Sequence, residues 1–273
     1  MNKKILSLTT VGVLLHSTPS LACAPVFTES AGVGYKGGYE YHLEYSQRER
    51  GNQTQNLLTT RLDYGITPDW MIAAEVTPYK RVEQNGLDND GVGNVGFLTK
   101  YRVYLDATAD YQRSATILGR VNLDTASDAQ PALSSGTEEY EVGLALRQES
   151  NKWQYWSSAR YRFNGTGTVG IDQGSKLRLD AAIGLRPEPL ESINENDTVW
   201  LLEVNGEFAD KSDQYGASLT NTGGSEVFIS PGVYWSHRNV GLKGGVQIPV
   251  YSDLNGIQDE SDYRAKVALE IIF

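Results

Sequence analysis

The residues able to do chemistry in this sequence are charged side chains set at alternate positions. Lys36, Glu40, His42 and Glu44 share one parity, and Arg61, Lys100, Arg102, Arg120, Glu141, Arg147, Arg160, Arg162, Arg178, Asp180, Arg264, Lys266 and Glu270 repeat the arrangement further along. Apolar or aromatic residues such as Leu62, Tyr101, Val142, Tyr161 and Val267 fill the positions between them. A strand sends successive side chains to opposite faces, so the charges share one face and the apolar residues the other. Charges at this density need water or one another, because burying one unpaired is costly. Two chemistries follow: a self-neutralising set of ion pairs, or a wet polar passage for small solutes. Arg147, Arg160, Arg162, Lys176 and Arg178 fall on three successive expected strands. They would form a basic wall facing an acidic one of Glu40, Glu44 and Glu270, which would orient a dipolar or anionic solute.

Other chemistry is thinly supported. Nucleophilic catalysis needs a Ser–His pair within hydrogen-bond reach. Beyond the N-terminal segment the histidines are His42 and His237, with Ser46 on the same face as His42 and no third orienting group nearby. Asn85–Gly91 clusters oxygen ligands but lacks calcium-loop spacing. Gly165–Gly174 lacks the Lys-Ser/Thr and following helix of a phosphate loop. No catalytic residue, metal or cofactor is expected.

The elements that carry the charged face are strands. Alternation is clearest from Asp262 to Phe273, where Tyr263, Ala265, Val267, Leu269, Ile271 and Phe273 oppose Asp262, Arg264, Lys266 and Glu270. Similar segments recur near 32–46, 56–64, 70–81, 93–104, 114–124, 138–148, 153–164, 176–186, 199–208, 226–236 and 240–250. That makes about twelve strands of roughly ten residues, the reach of a tilted transmembrane strand. Several connections after even strands are short and polar; those after odd strands are mostly long, notably Thr125–Gly136 and Ala209–Gly224. The same asymmetry separates periplasmic turns from extracellular loops in membrane barrels. A secreted β-sandwich would also alternate, but with shorter, less even strands and some charge on each outer face.

The N-terminus reads as a targeting segment. Lys3 and Lys4 precede an apolar run, Ile5–Leu15, of about eleven residues, too short to span a bilayer. Ser20-Leu21-Ala22 offers cleavage before Cys23. Cys23 is the sole cysteine, which excludes an internal disulfide framework. A lipid-modified Cys23 is the alternative reading, with Ser20 standing where lipoprotein signals resemble Leu. The whole chain carries −10; losing Lys3 and Lys4, with no acid in residues 1–22, leaves about −12. Such a chain will not bind nucleic acid non-specifically. No later apolar run approaches the ~20 residues of a membrane helix, so a closed barrel is the remaining way into a membrane.

Two segments carry a family resemblance. Arg61-Leu-Asp-Tyr-Gly-Ile-Thr-Pro-Asp-Trp70 and Gly91-Val-Gly-Asn-Val-Gly-Phe-Leu-Thr-Lys-Tyr101 resemble the strand–turn–strand and Lys-Tyr motifs of the outer-membrane transporter family of the MetA pathway of phenol degradation. Asn94 stands where that pattern often has Asp. The resemblance implies an outer-membrane β-barrel passing small, including aromatic, compounds, and supplies no catalytic residues. The terminal Phe273 likewise resembles the residue read by the barrel assembly machinery.

The expectation is therefore an all-β protein: a single antiparallel transmembrane barrel of about 12 strands. Residues 1–22 would be a cleaved signal peptide, 23–31 a short periplasmic arm and 32–273 the barrel. The expected location is the bacterial outer membrane, with membrane lipid, the assembly machinery and a small solute as partners. Passive solute passage leads the functional readings. A non-conducting barrel acting through its surface loops comes second, and a barrel hydrolase third.

Overall fold

The structure is a computed structural model that describes residues 23–126, 131–134, 136–165, 167, 170–188 and 195–273. The expected signal peptide lies outside the described residues, as do parts of the expected loops after the fifth, seventh and eighth strands.

The strands are β1 Tyr39–Arg50, β2 Gln53–Thr67, β3 Trp70–Gln84, β4 Val95–Ala107, β5 Tyr111–Leu123, β6 Glu139–Ser150, β7 Trp153–Asn164, β8 Lys176–Leu185, β9 Asn196–Ala209, β10 Gly224–His237, β11 Val240–Leu254 and β12 Ser261–Ile272. Each pairs antiparallel with its sequence neighbours, and β1 pairs with β12 from Glu40↔Ile272 to Arg50↔Ser261, closing a twelve-stranded barrel. Closure leaves no unpaired edge, which a strand protein in lipid requires. Apolar side chains including Leu62, Ile72, Phe97, Ile117, Val142, Leu202 and Val267 are exposed on the outer face, as the alternation demands.

The two ends differ. Both termini of the barrel, Tyr39 and Ile272, lie at one end, with the tight turns at Pro68–Asp69 and Asn151–Lys152. We call this the terminal end and the other the loop end. At the loop end Leu87–Gly91 folds back on β3 with Lys80↔Gly91 pairing, through Asn85 (φ 52°) and Gly86 (φ 79°). Asn-Gly with two left-handed residues is the hairpin turn that matches strand twist. Asn85–Gly91, noted in the sequence for its oxygen ligands, is therefore the turn and returning arm of a hairpin. A three-stranded patch of Ile171–Asp172, Asp213–Gln214 and Ala217–Ser218 joins two further loops.

The N-terminal region departs most from expectation. The first strand starts at Tyr39; residues 23–34 run inside the barrel and 35–38 turn at its terminal end, instead of forming a periplasmic arm and the opening of a strand. Val33, expected on the lipid face, packs on an interior cluster of Met71, Ala73, Leu98 and Leu118. Cys23, Val26 and Phe27 pack on a second one formed by Trp156, Ala182, Val199, Leu201 and Tyr234. The cause is apolar surface on the inner wall: left bare in a wet lumen it would cost about 25 cal/mol per Å². The arm covers it. Cys23 is 0% exposed, so acyl chains on its sulfur are incompatible with this packing.

Candidate functional site

Glu203 on β9 anchors the arm. Its Oε1 accepts from the amide of Val26 at 2.7 Å, and its Oε2 accepts from Phe27 at 3.1 Å and Thr28 at 2.7 Å. One fully buried carboxylate thus satisfies three consecutive backbone donors, the kind of charge-assisted bonding that offsets its burial. Further along, Lys100 donates to the Ser30 carbonyl at 2.9 Å and Thr116 to the Ala31 carbonyl at 2.7 Å. The chain then turns back to the terminal end, where the Gly37 amide donates to Gly65 O at 2.7 Å.

The apex of the arm is Glu29. Lys100 Nζ lies 2.5 Å from its Oε1, while Arg120 and Arg160 approach its Oε2 at 3.6 and 3.9 Å. These cations come from β4, β5 and β7.

Beside the arm lies a cavity of about 1050 Å³. Its lining runs from Tyr39, Pro68 and Ile272 at the terminal end to Gln53, Gln55 and Leu133 at the loop end. Inward residues of β1, β2 and β3 line it, whereas β9 and β10, covered by the arm, do not. At the loop end the connection after β5 folds inward: Leu133 is buried, and Asn89 donates to the Pro131 carbonyl at 3.1 Å.

Most of the expected lumen residues do border this cavity: Glu40, His42, Glu44, Arg61, Lys100, Arg102, Arg120, Glu141, Arg160, Arg162, Arg178, Lys266 and Glu270. Lys36 also borders it, but from an exposed turn before β1, so it is not on a strand. Arg147, Asp180 and Arg264 point inward without lining the cavity. Arg147 is buried against Glu149, Asp180 bonds Ser158 and Arg160, and Arg264 forks onto Glu207 at 2.9 and 3.2 Å. Phe273 is exposed at the terminal end, its amide bonded to the Tyr39 carbonyl at 2.9 Å. Arg48, expected in a loop, lies on β1 and lines the cavity.

The basic wall does not exist as a wall. Arg160 pairs with Asp180 at 2.8 Å, Arg162 with Glu139 at 3.0 Å, Arg178 with Glu141 at 3.2 Å and Lys176 with Glu207 at 3.3 Å. The acidic side is equally paired, Glu44 with Lys266 at 3.2 Å and Glu270 with Lys243 at 2.6 Å. Inward residues on neighbouring strands sit about 4.8 Å apart, so acids on β6, β8 and β9 neutralise the arginines beside them rather than across the lumen. The interior is a mosaic of local pairs.

Among the described residues no Ser–His pair forms. His42 faces Glu40, Asp63 and Glu270 at 3.3, 3.3 and 3.4 Å. Ser46 is four residues along the same strand, about 13 Å away at ~3.3 Å per residue. Glu40, His42 and Glu270 bring ligand atoms within 4.8 Å of one another. Lys243 and Arg61, 2.6 Å from Glu270 and 3.0 Å from His42, already supply positive charge there.

The segments that carry the family resemblance are structural. Arg102 clamps the β2–β3 turn, donating to Asp69 Oδ1 at 2.8 Å and to the Pro68 carbonyl at 2.7 Å. In the second segment, Lys100 reaches the arm.

Neither a family model nor a curated protein matches the sequence. Among solved structures, the chain is similar to the COG4313 outer membrane channel from Pseudomonas putida F1, with a TM-score of 0.71 at 12% identity over 92% of this chain and 100% of that one. It is also similar to the NanC porin, at TM-score 0.50 and 10% identity over 85% of this chain and 98% of that one. The β-domain of the Bordetella autotransporter BrkA matches at TM-score 0.50 and 11% identity, over 86% and 99%. Closure, strand number and these likenesses define the class of fold: an outer-membrane-type β-barrel shared with channels and porins.

Proposed function

We propose that this protein is an outer-membrane channel through which small polar solutes pass along the β1–β3 side of the lumen, beside the N-terminal arm. The observation that carries this reading is the cavity. Barrels of about eight strands are filled by side chains, and those of sixteen leave a wide aqueous channel. Here a space of about 1050 Å³ persists from one end of the lining to the other even with the arm in place. Its walls are charged and locally neutral, which suits water and small polar solutes. In this reading residues 1–22 direct export, the terminal end faces the periplasm and Phe273 serves barrel assembly. The MetA-pathway transporter resemblance at 61–70 and 91–101 agrees with a small-molecule cargo.

The test is single-channel recording of the full mature chain in planar bilayers, with reversal potentials in a salt gradient. The reading predicts small discrete steps and a selectivity that shifts toward cations in Arg178→Gln, which removes a lining cation. A folded barrel that inserts and never conducts would overturn it.

A further inference from the structure

Glu29 is held in a way that says more about its site than about the arm. Its two carboxylate oxygens meet three cations: Lys100 takes one at 2.5 Å, and Arg120 and Arg160 share the other at 3.6 and 3.9 Å. The two guanidinium contacts are long for charge-assisted bonds, which run near 2.7–2.9 Å. The arginines are therefore not fully used by this carboxylate. Each keeps another partner, Arg120 on Glu75 at 3.3 Å and Arg160 on Asp180 at 2.8 Å, and the Nε of each is buried without a hydrogen-bond acceptor. The arm does not need Glu29 for its anchorage, because Glu203 and Thr116 hold its backbone on either side. Lys100, Arg120, Arg160 and Glu29 all border the cavity, so a free anion there has direct access to the same donors.

The wall next to these cations is apolar. In the strand register Lys100 stands opposite Met71 and Leu118, and Arg120 opposite Leu98. Those three apolar side chains, with Ala73, form the interior patch that Val33 covers. The arm thus lays a carboxylate on the three cations and an aliphatic side chain on the adjoining patch.

We propose that Lys100, Arg120 and Arg160 form a binding site for a solute monocarboxylate with a small apolar body, for which Glu29 and Val33 are the tethered stand-in. The solute displaces the Glu29 and Val33 side chains together, its carboxylate taking Lys100 and the two guanidinium groups and its hydrocarbon part replacing Val33 on Met71, Leu98 and Leu118. Planar guanidinium forks suit a carboxylate, and burial excludes the water that would weaken the pairing. This names a solute class for the proposed channel and rests on that reading for the solute's route in and out.

Calorimetric titration of the purified full mature chain with sodium hexanoate tests the site without asking for conduction. Glu29→Gln removes the competing carboxylate and should bind hexanoate about tenfold or more tightly than wild type. Adding Lys100→Gln or, separately, Arg120→Gln to Glu29→Gln should remove most of that gain. Acetate should bind Glu29→Gln more weakly than hexanoate, and hexylammonium should not bind the site. Equal hexanoate affinity in wild type and Glu29→Gln overturns the proposal, as does a gain that survives both cation substitutions. Heat-modifiable gel mobility confirms that each variant is folded. Hexanoate binding in a barrel that never conducts would uphold the site and sink the channel. Conduction by a Glu29→Gln barrel with no affinity for hexanoate would do the reverse.

Discussion

Glu203 holds Val26 from 177 positions away in sequence, its Oε1 2.7 Å from the Val26 amide, and in doing so fixes the N-terminal arm inside the barrel. The same carboxylate takes the amides of Phe27 and Thr28. Among the links between barrel wall and arm, this one gathers three consecutive arm amides on a side chain that can be removed without touching a strand pairing.

Glu203→Ala leaves three buried amides without their acceptor. A buried donor left unsatisfied costs about 1–3 kcal/mol, so the arm loosens while the barrel stays closed. Hydrogen exchange at the amides of residues 26–28 should accelerate by at least about tenfold, with exchange across the β2–β3 pairing unchanged. Unchanged protection at 26–28 would show that the apolar clusters alone hold the arm.

The same release should appear at Cys23. Its thiol is enclosed by the cluster around Trp156 and Tyr234. A water-soluble maleimide should label wild type slowly and the Glu203→Ala chain much faster. Intact mass of the wild-type protein should show Cys23 without acyl chains.

Gly65 marks the close approach of arm and barrel. A Cβ there would overlap the Tyr35 carbonyl, whereas one at Gly119 would meet nothing nearer than Thr99 at 3.8 Å. Gly65→Ala should destabilise by about 1–3 kcal/mol, the range for overpacking. Gly119→Ala should stay within ~0.5 kcal/mol of wild type. Urea unfolding from liposomes measures both.

A charge in the lipid-facing band of the outer face is costly. Leu144 is exposed on β6. In lipid, Leu144→Arg should cost about 2–4 kcal/mol if it lies at mid-bilayer depth. Gln55→Arg, facing the cavity, should cost little. Equal costs in the two would contradict the assignment of inside and outside.

Strand order and facing were legible because alternation is imposed on every strand by the same two solvents. Leu62 and Arg61, or Val142 and Glu141, announce opposite faces without help from the rest of the chain. The arm was not legible in its own residues, since Ala24–Glu29 has no periodicity and pairs with no neighbour. A signal did exist elsewhere. Met71, Leu98 and Leu118, like Trp156, Leu201 and Tyr234, are apolar at positions whose parity faces the lumen. Apolar side chains on a wet wall call for a cover, which Val26, Phe27 and Val33 supply. Asn85-Gly86 was a readable hairpin signal. The pairing of the basic residues was not readable, because which acid neutralises Arg160 depends on the register of β7 against β8, which sets Ser158 opposite Asp180.

Single-channel conductance of the wild-type chain beside Glu203→Ala tests the central claim most directly, that a passage runs beside a plug whose first half is anchored on the Glu203 carboxylate. The account predicts small steps from wild type and larger or longer openings from Glu203→Ala, both from barrels shown to be folded. Silence from both would contradict it, and so would identical conductance once hydrogen exchange has shown the arm to be released.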